Sequence, residues 1–186
     1  WDWFSGLIKK ANRPIKVLNL FAYTGGASLA AAAAGAEVTH VDSVKQCISW
    51  ARENMEASHL EGIRWVVEDA LKFARREVKR GHRYEGIILD PPAFAKHHKV
   101  LGNALQGYKK INARALEKIR PGGILFTFSC SQAVSRDLFR TTIFTSAAIA
   151  KRKVRIIGQL TQPADHPINI YHPEGEYLKG LVVYVE

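Results

Sequence analysis

Lys16-Val17-Leu18-Asn19-Leu20-Phe21-Ala22-Tyr23-Thr24-Gly25-Gly26, followed by the alanine-rich Ala27–Ala34, sets the fold class. Lys16–Phe21 is an apolar run the length of one buried strand, Gly25 and Gly26 turn the chain, and the small-residue helix stops at Gly35. The same unit recurs outward. Glu37–Val41 reads as a second strand ending at Asp42, and Ser43 with Gln46 reads as a capping box for a helix to about Ser58 that buries Val44, Ile48, Ala51 and Met55. Ile63–Val67 is a third strand, with a helix after Glu68 and Asp69 to about Arg80, and Tyr84–Leu89 a fourth, closed by Asp90-Pro91-Pro92. Ala95–Gly107 reads as a loop, then a helix stopping at Pro121-Gly122-Gly123, a strand Ile124–Phe128 and a helix from Arg136 to about Ala150. Strands Val154–Leu160 and Leu178–Val185 follow, separated by a segment with Pro163, Pro167 and Pro173 that is too irregular for a crossover helix. Strands alternating with helices imply an α/β domain with a mostly parallel sheet.

Composition agrees with one folded domain. The 186 residues, 47% apolar and 24% charged, exclude a disordered, collagen-like or coiled-coil chain. Lys and Arg exceed Asp and Glu by 27 to 17, and the net charge of +10 points to a polyanionic partner such as nucleic acid. Cys47 and Cys130 make no disulfide framework, and no apolar run reaches the roughly 20 residues of a membrane span, so a reducing, cytoplasmic setting is expected. The chain starts at Trp1 with nothing that reads as a signal peptide, so a fragment of a longer protein is expected.

In open α/β sheets, ligands lie beyond the carboxyl ends of the strands near the point where strand order reverses. Three acids fall at such ends: Asp42 can accept both ribose hydroxyls of a nucleoside cofactor, Asp69 can face adenine, and Asp90 closes the fourth strand. Each could equally be a helix cap or turn former. The first turn lacks the G-x-G-x-x-G spacing that admits a pyrophosphate, which counts against NAD. S-adenosylmethionine (AdoMet) has no phosphate and tolerates a bulkier turn carrying Tyr23. The cofactor surface is therefore expected on Phe21, Tyr23, Thr24, Gly25, Asp42, Ser43, Asp69, Ala70 and Asp90, against the plainer alternative of a turn without a ligand.

Asn19-Leu20-Phe21-Ala22-Tyr23-Thr24-Gly25-Gly26, Asp42, Asp69, Asp90-Pro91-Pro92-Ala93-Phe94 and Ser129-Cys130-Ser131 resemble motifs of class I methyltransferases, above all the bacterial large-subunit rRNA cytosine-C5 methyltransferases. Similarity runs from about Val17 through Tyr177-Leu178-Lys179-Gly180 and includes Ala164-Asp165-His166-Pro167. The resemblance implies a Rossmann-like fold: seven strands, the last antiparallel, with helices on both faces. Residues 1–186 are then a single methyltransferase domain. It also implies an upstream RNA-binding PUA domain that this chain lacks, so poor rRNA methylation by the chain alone is expected.

C5 of a pyrimidine is a weak nucleophile, and its methylation calls for a thiolate that adds at C6. Cys130 follows the fifth strand, on the rim of Asp42 and Asp90, whereas Cys47 lies beside Ile48 in a helix as a small core residue. The segment Ser129-Cys130-Ser131, with Arg136-Asp137-Leu138, also resembles the nucleophile segment of RNA uracil-C5 methyltransferases. Asp90 could bond the N3 and N4 edge of cytosine with Phe94 stacking on the base, which makes Pro91, Pro92 and Phe94 the expected substrate-binding positions. In amino methyltransferases the same Asp-Pro-Pro-aromatic pattern instead holds an exocyclic amine, so N-methylation stays open, as do a core role for Phe94 and a binding module without chemistry. By analogy with the uracil enzymes, Glu174 is the candidate base for the C5 proton, with Asp165 or His166 as alternatives. His97-His98 lack partners at ligand spacing, so no metal is expected. Lys72, Arg75, Arg76, Lys79 and Arg80 align along one helix stripe; with Lys96, Lys99, Lys109, Lys110 and Lys151-Arg152-Lys153, part of this basic surface is expected to meet phosphate, though such a stripe is more often a solvated face. The oligomeric state is left open.

Overall fold

The computed structural model describes residues 2–95 and 98–186; Trp1, Lys96 and His97 lie outside them. In chain order the elements are α1 (Asp2–Lys10), β1 (Lys16–Leu20), α2 (Gly26–Ala33), β2 (Glu37–Asp42), α3 (Lys45–Ala57), β3 (Arg64–Val67), α4 (Ala70–Arg80), β4 (Tyr84–Leu89), α5 (Leu101–Lys118), β5 (Ile119–Ser129), α6 (Arg136–Ile149), β6 (Val154–Leu160) and β7 (Lys179–Val185). Short 3-10 turns occupy His98–Val100 and Pro173–Gly175.

One seven-stranded sheet has the order β3-β2-β1-β4-β5-β7-β6. β1 to β5 pair in parallel, and β7 runs antiparallel to both β5 and β6. Successive side chains point to opposite faces of a strand, so each strand builds two cores. Leu18, Leu20, Ile87, Leu89 and Leu125 meet Phe73 of α4, Tyr108 and Leu116 of α5, and Phe139 and Ile143 of α6. Val17, Val38, Ile88 and Phe126 meet Phe4 and Ile8 of α1 and Ala27 and Ala31 of α2. Helices thus cover both faces. Under α2, Asn19 Nδ2 donates to Ser28 Oγ at 3.0 Å, and Ser28 Oγ lies 2.9 Å from His40 Nδ1. Burial pushes the His40 imidazole down to about 4, so this ring is neutral at physiological pH.

One helix lies outside the sequence expectations, and three of those expectations need correction. α1 was not foreseen; Phe4 and Ile8, four apart, place it over the sheet. The expected loop Ala95–Gly107 is helical from Leu101, because Leu101, Ala104, Leu105 and Tyr108 form one stripe against the core. Pro121-Gly122-Gly123 does not stop a helix: α5 ends at Lys118, and the three residues form an irregularity inside β5, whose register jumps from Tyr84↔Ile119 to Gly86↔Ile124. Gly122 takes φ +80, and a Cβ on Gly123 would stand 2.6 Å from the Glu85 carbonyl oxygen. The Ser43–Gln46 capping box is absent; α3 is entered from Val44, which is exposed instead of buried, and the Val44 amide donates to Asp42 Oδ1 at 2.8 Å.

Candidate active site at the carboxyl rim of the sheet

Register aligns the strand ends. Leu20 pairs with Val41 on one side and Leu89 on the other, Asp42 pairs with Val67, and Leu89 pairs with Thr127. Phe21, Asp42, Asp69, Asp90 and Cys130 therefore leave the sheet along one rim, around the reversal of strand order between β1 and its neighbours.

Between β1 and α2 the backbone is held in a sparsely populated shape. Phe21, Tyr23 and Gly25 have φ of 59, 49 and 95, a conformation that suits glycine and costs roughly 1–2 kcal/mol at each of the two aromatic residues. Hydrogen bonds fix it: the Tyr23 amide donates to Asp42 Oδ2 at 2.9 Å, the Gly25 amide to the Ala22 carbonyl at 3.1 Å, and Asn54 Nδ2 to the Thr24 carbonyl at 3.0 Å. Gly25 also lets α2 approach α3, since a Cβ there would lie 3.1 Å from Ala51 Cβ. The aromatic ring of Tyr23 is left standing in solvent. Backbone strain of this kind clusters at ligand sites.

Asp42 closes the turn with both oxygens, and each keeps a second lone pair for a further donor. Asp69 caps α4, with Oδ1 accepting from the Lys72 amide at 2.8 Å, and is otherwise exposed; the following Ala70 is buried and Ser43 is exposed. Val44 and Val67, beside Asp42, stand about half exposed, at 51% and 52%. An apolar surface bordered by two carboxylates suits a purine nucleoside with its ribose. Sequence reading missed this surface because Val44 fits the buried face of an idealised helix begun at Ser43. It also missed Asn54, for which no sequence signal exists. The Tyr23 and Gly25 amides are already engaged within the turn, which also lacks the G-x-G-x-x-G spacing of a dinucleotide site.

Cys130 meets the Asp90-Pro91-Pro92 segment directly, its Sγ 3.7 Å from the Pro91 carbonyl oxygen. The thiol is half-buried, whereas Cys47 is buried in the wall of α3. Serines hold the turn on either side: Ser129 Oγ donates to Tyr108 Oη at 3.0 Å, Tyr108 Oη lies 2.9 Å from Ser131 Oγ, and the Ala95 amide donates to Ser131 Oγ at 3.2 Å. Burial and the neighbouring Asp90 carboxylate push the Cys130 thiol above its usual range, against the opposing pull of its own amide and Lys179. Burial likewise pushes the Asp90 carboxyl up.

Phe94 packs inward. Its ring is half-buried, 4.6 Å from Tyr108 and 6.3 Å from Phe21 by centroid, and a Cβ on Gly107 would touch it at 3.1 Å. Pro91 is buried and Pro92 exposed. Glu174 sits in an exposed 3-10 turn tied to the rim by its backbone: Gln132 Nε2, two residues past Cys130, donates to the Glu174 carbonyl at 3.1 Å, while the Glu174 carboxylate faces His172 at 3.2 Å. Asp165 and His166 pair with each other at 3.3 Å and are exposed. The basic stripe of α4 divides: Arg76 pairs with Glu68 and Arg80 with Glu77, leaving Lys72, Arg75 and Lys79 without an ion pair among the described residues. Arg152 is structural, its guanidinium donating to the carbonyls of Leu116, Ile119 and Glu186.

This strand order with its antiparallel seventh strand and a rim of strand-end carboxylates defines a class I methyltransferase. The chain belongs to the S-adenosylmethionine-dependent methyltransferase family, whose profile matches residues 6–173. The ribosomal RNA large subunit methyltransferase I of Klebsiella pneumoniae is 40% identical over 173 residues, covering 91% of this chain and 43% of that protein. The crystal structure of SMU.776 complexed with SAH has a TM-score of 0.81 at 26% identity, over 97% of this chain and 48% of that one. The SAM-dependent methyltransferase from Agrobacterium tumefaciens gives 0.76 at 32% identity, over all of this chain and 60% of that one. The chain spans less than half the length of the curated relatives it matches.

Proposed function

We propose that this chain is the methyltransferase domain of an enzyme that methylates large-subunit rRNA at C5 of cytosine, with Cys130 as nucleophile. The observation that carries the reading is the contact of Cys130 with the Asp90-Pro91-Pro92 segment, which joins a thiol to a base-binding edge on the cofactor rim. Relatives at about 40% identity that act on large-subunit rRNA support the substrate class. Bound AdoMet supplies a methyl group on a sulfonium, a strong electrophile with no phosphate. On the protein side, Asp42 would accept from the ribose hydroxyls, and Val44, Val67 and Asp69 would hold the adenine. Asp90, at the end of β4 beside Cys130, is suited to bond the N3 and N4 edge of cytosine, accepting from the N4 amine. Cys130, having given its proton to solvent, then adds to C6 as the thiolate; C5 takes the methyl group as the methyl–sulfonium bond breaks to leave a neutral thioether, a base removes the C5 proton, and breaking the S–C6 bond frees the thiolate. Glu174 is the candidate base, on a turn whose backbone is held by Gln132, two residues past Cys130. Lys72, Arg75 and Lys79 are the cations of α4 free to meet RNA phosphate. The free thiols and the rRNA substrate suit a cytoplasmic setting.

The reading is tested by nucleoside mass spectrometry of large-subunit rRNA after incubation with enzyme and AdoMet. 5-Methylcytidine that disappears with Cys130→Ala and persists with Cys47→Ala is the expected result. An N-methylated nucleoside made equally by Cys130→Ala would overturn it and shift the chemistry to Asp90 and its exocyclic-amine geometry.

A further inference from the structure

Lys179 is a buried lysine without an acidic partner. It opens β7 as the register partner of Ser129, and only 8% of it is exposed. Its Nζ donates to the Ser131 carbonyl at 2.7 Å, one residue beyond Cys130. Among the described residues it forms no ion pair, although an ammonium is costly to bury unpaired. A lysine needed only for packing would keep its stem inside and its head in water. Here the head itself is withdrawn and pointed at the turn that carries the thiol.

The charged and titratable groups around that turn come from four elements. Asp90, at the end of β4, opposes a thiolate. Arg136, at the start of α6, is already answered by Glu176 at 3.0 Å. Tyr108 of α5 is engaged by Ser129 and Ser131 through its hydroxyl. Lys179 of β7 is the remaining cation among these groups, and its charge favours a thiolate at Cys130.

We propose that Lys179 is a positioning residue for Cys130: its buried ammonium anchors the Ser129-Cys130-Ser131 turn through the Ser131 carbonyl and supplies the counter-charge when the thiol gives up its proton to solvent. The functional meaning of this pairing rests on the covalent reading above. A purely structural lysine would fix the turn equally well without altering how the thiol ionises.

The test is the pH profile of Cys130 alkylation by iodoacetamide, followed by mass spectrometry of the labelled peptide, with buried Cys47 as internal reference. Lys179→Met is expected to move the midpoint upward by about one pH unit, a roughly tenfold slower reaction at a fixed pH below the midpoint, and Lys179→Arg to return most of it. A folded Lys179→Met protein with the wild-type midpoint overturns the proposal. A second measurement needs no change at Lys179: the wild-type ammonium, followed by NMR, should lose its proton at lower pH in Cys130→Ser, because coupling between two sites is reciprocal. An unchanged Lys179 titration overturns the proposal as well. Failure of the covalent reading looks different: 5-methylcytidine would still form with Cys130→Ala, whatever Lys179 does to the thiol.

Discussion

Replacing Asp42 by alanine removes the group that closes the first turn, and the structure sets the size of the effect. Its two oxygens accept from the Tyr23 and Val44 amides at 2.9 and 2.8 Å, and the Tyr23 bond restrains a residue at φ +49. Charge-assisted bonds of this kind contribute about 1.5–3 kcal/mol when buried, but this carboxylate is partly solvated, so about 1 kcal/mol each is the apt figure. Asp42→Ala should therefore lower stability by about 2 kcal/mol, roughly a thirtyfold change in the folded-to-unfolded ratio. AdoMet affinity should fall by a further ~1–3 kcal/mol, because the ribose hydroxyls lose their acceptor and the turn loses its shape. Asp42→Asn keeps one acceptor oxygen and should fall between. Urea unfolding reads the first quantity and titration calorimetry with AdoMet the second. An Asp42→Ala protein with both midpoint and affinity unchanged would refute the reasoning, since neither the turn nor the cofactor would then depend on this side chain.

Asp90→Asn removes the negative neighbour of Cys130 and should lower the thiol pKa, so iodoacetamide should label Cys130 about threefold or more faster at neutral pH; equal or slower labelling contradicts the electrostatic account. Gly123→Ala would drive a Cβ to 2.6 Å from both the Glu85 carbonyl oxygen and Ile119 Cγ2, and thermal melts should show a loss of about 1–3 kcal/mol. His40 is held neutral by burial, so its folded pKa of about 4 lies below the unfolded 6.5. The unfolded chain then binds the extra proton, and stability should fall as pH drops from 6.5 to about 4, by up to about 3 kcal/mol. His40→Gln should flatten that slope in parallel denaturant series, and an unchanged slope would place the acid sensitivity elsewhere.

The parallel half of the sheet was legible because its strands are short apolar runs, three of them closed by Asp42, Glu68-Asp69 and Asp90-Pro91, and the helices between them end at a glycine or a change of period. What escaped the sequence is tertiary. Pro121-Gly122-Gly123 has the composition of a helix stop, and only its approach to the Glu85 carbonyl makes it a strand irregularity. Ser43 and Gln46 carry the spacing of a capping box, but Asp42 takes the Val44 amide first and leaves Val44 on the surface. At the site, the rim positions of Asp42, Asp69, Asp90 and Cys130 follow from strand ends alone. Phe94 and Lys179 show the limit: the same residue types could face substrate or core, and the choice is made by Tyr108, Gly107 and Ser131, remote in sequence. The Glu174 backbone carbonyl is tied to the side chain of Gln132, two residues past Cys130, which no spacing rule anticipates.

The covalent role of Cys130 is tested most directly with large-subunit rRNA carrying 5-fluorocytidine in place of cytidine. Fluorine at C5 cannot leave as a proton, so after addition at C6 and methyl transfer the enzyme stays bonded to the RNA. Incubation with AdoMet should yield a protein–RNA species stable to denaturation, with peptide mapping placing the bond at Cys130. Cys47→Ala should form it and Cys130→Ala should not. Methyl transfer to the unsubstituted rRNA by the wild-type enzyme, with no such adduct on the fluorinated RNA, would contradict the account.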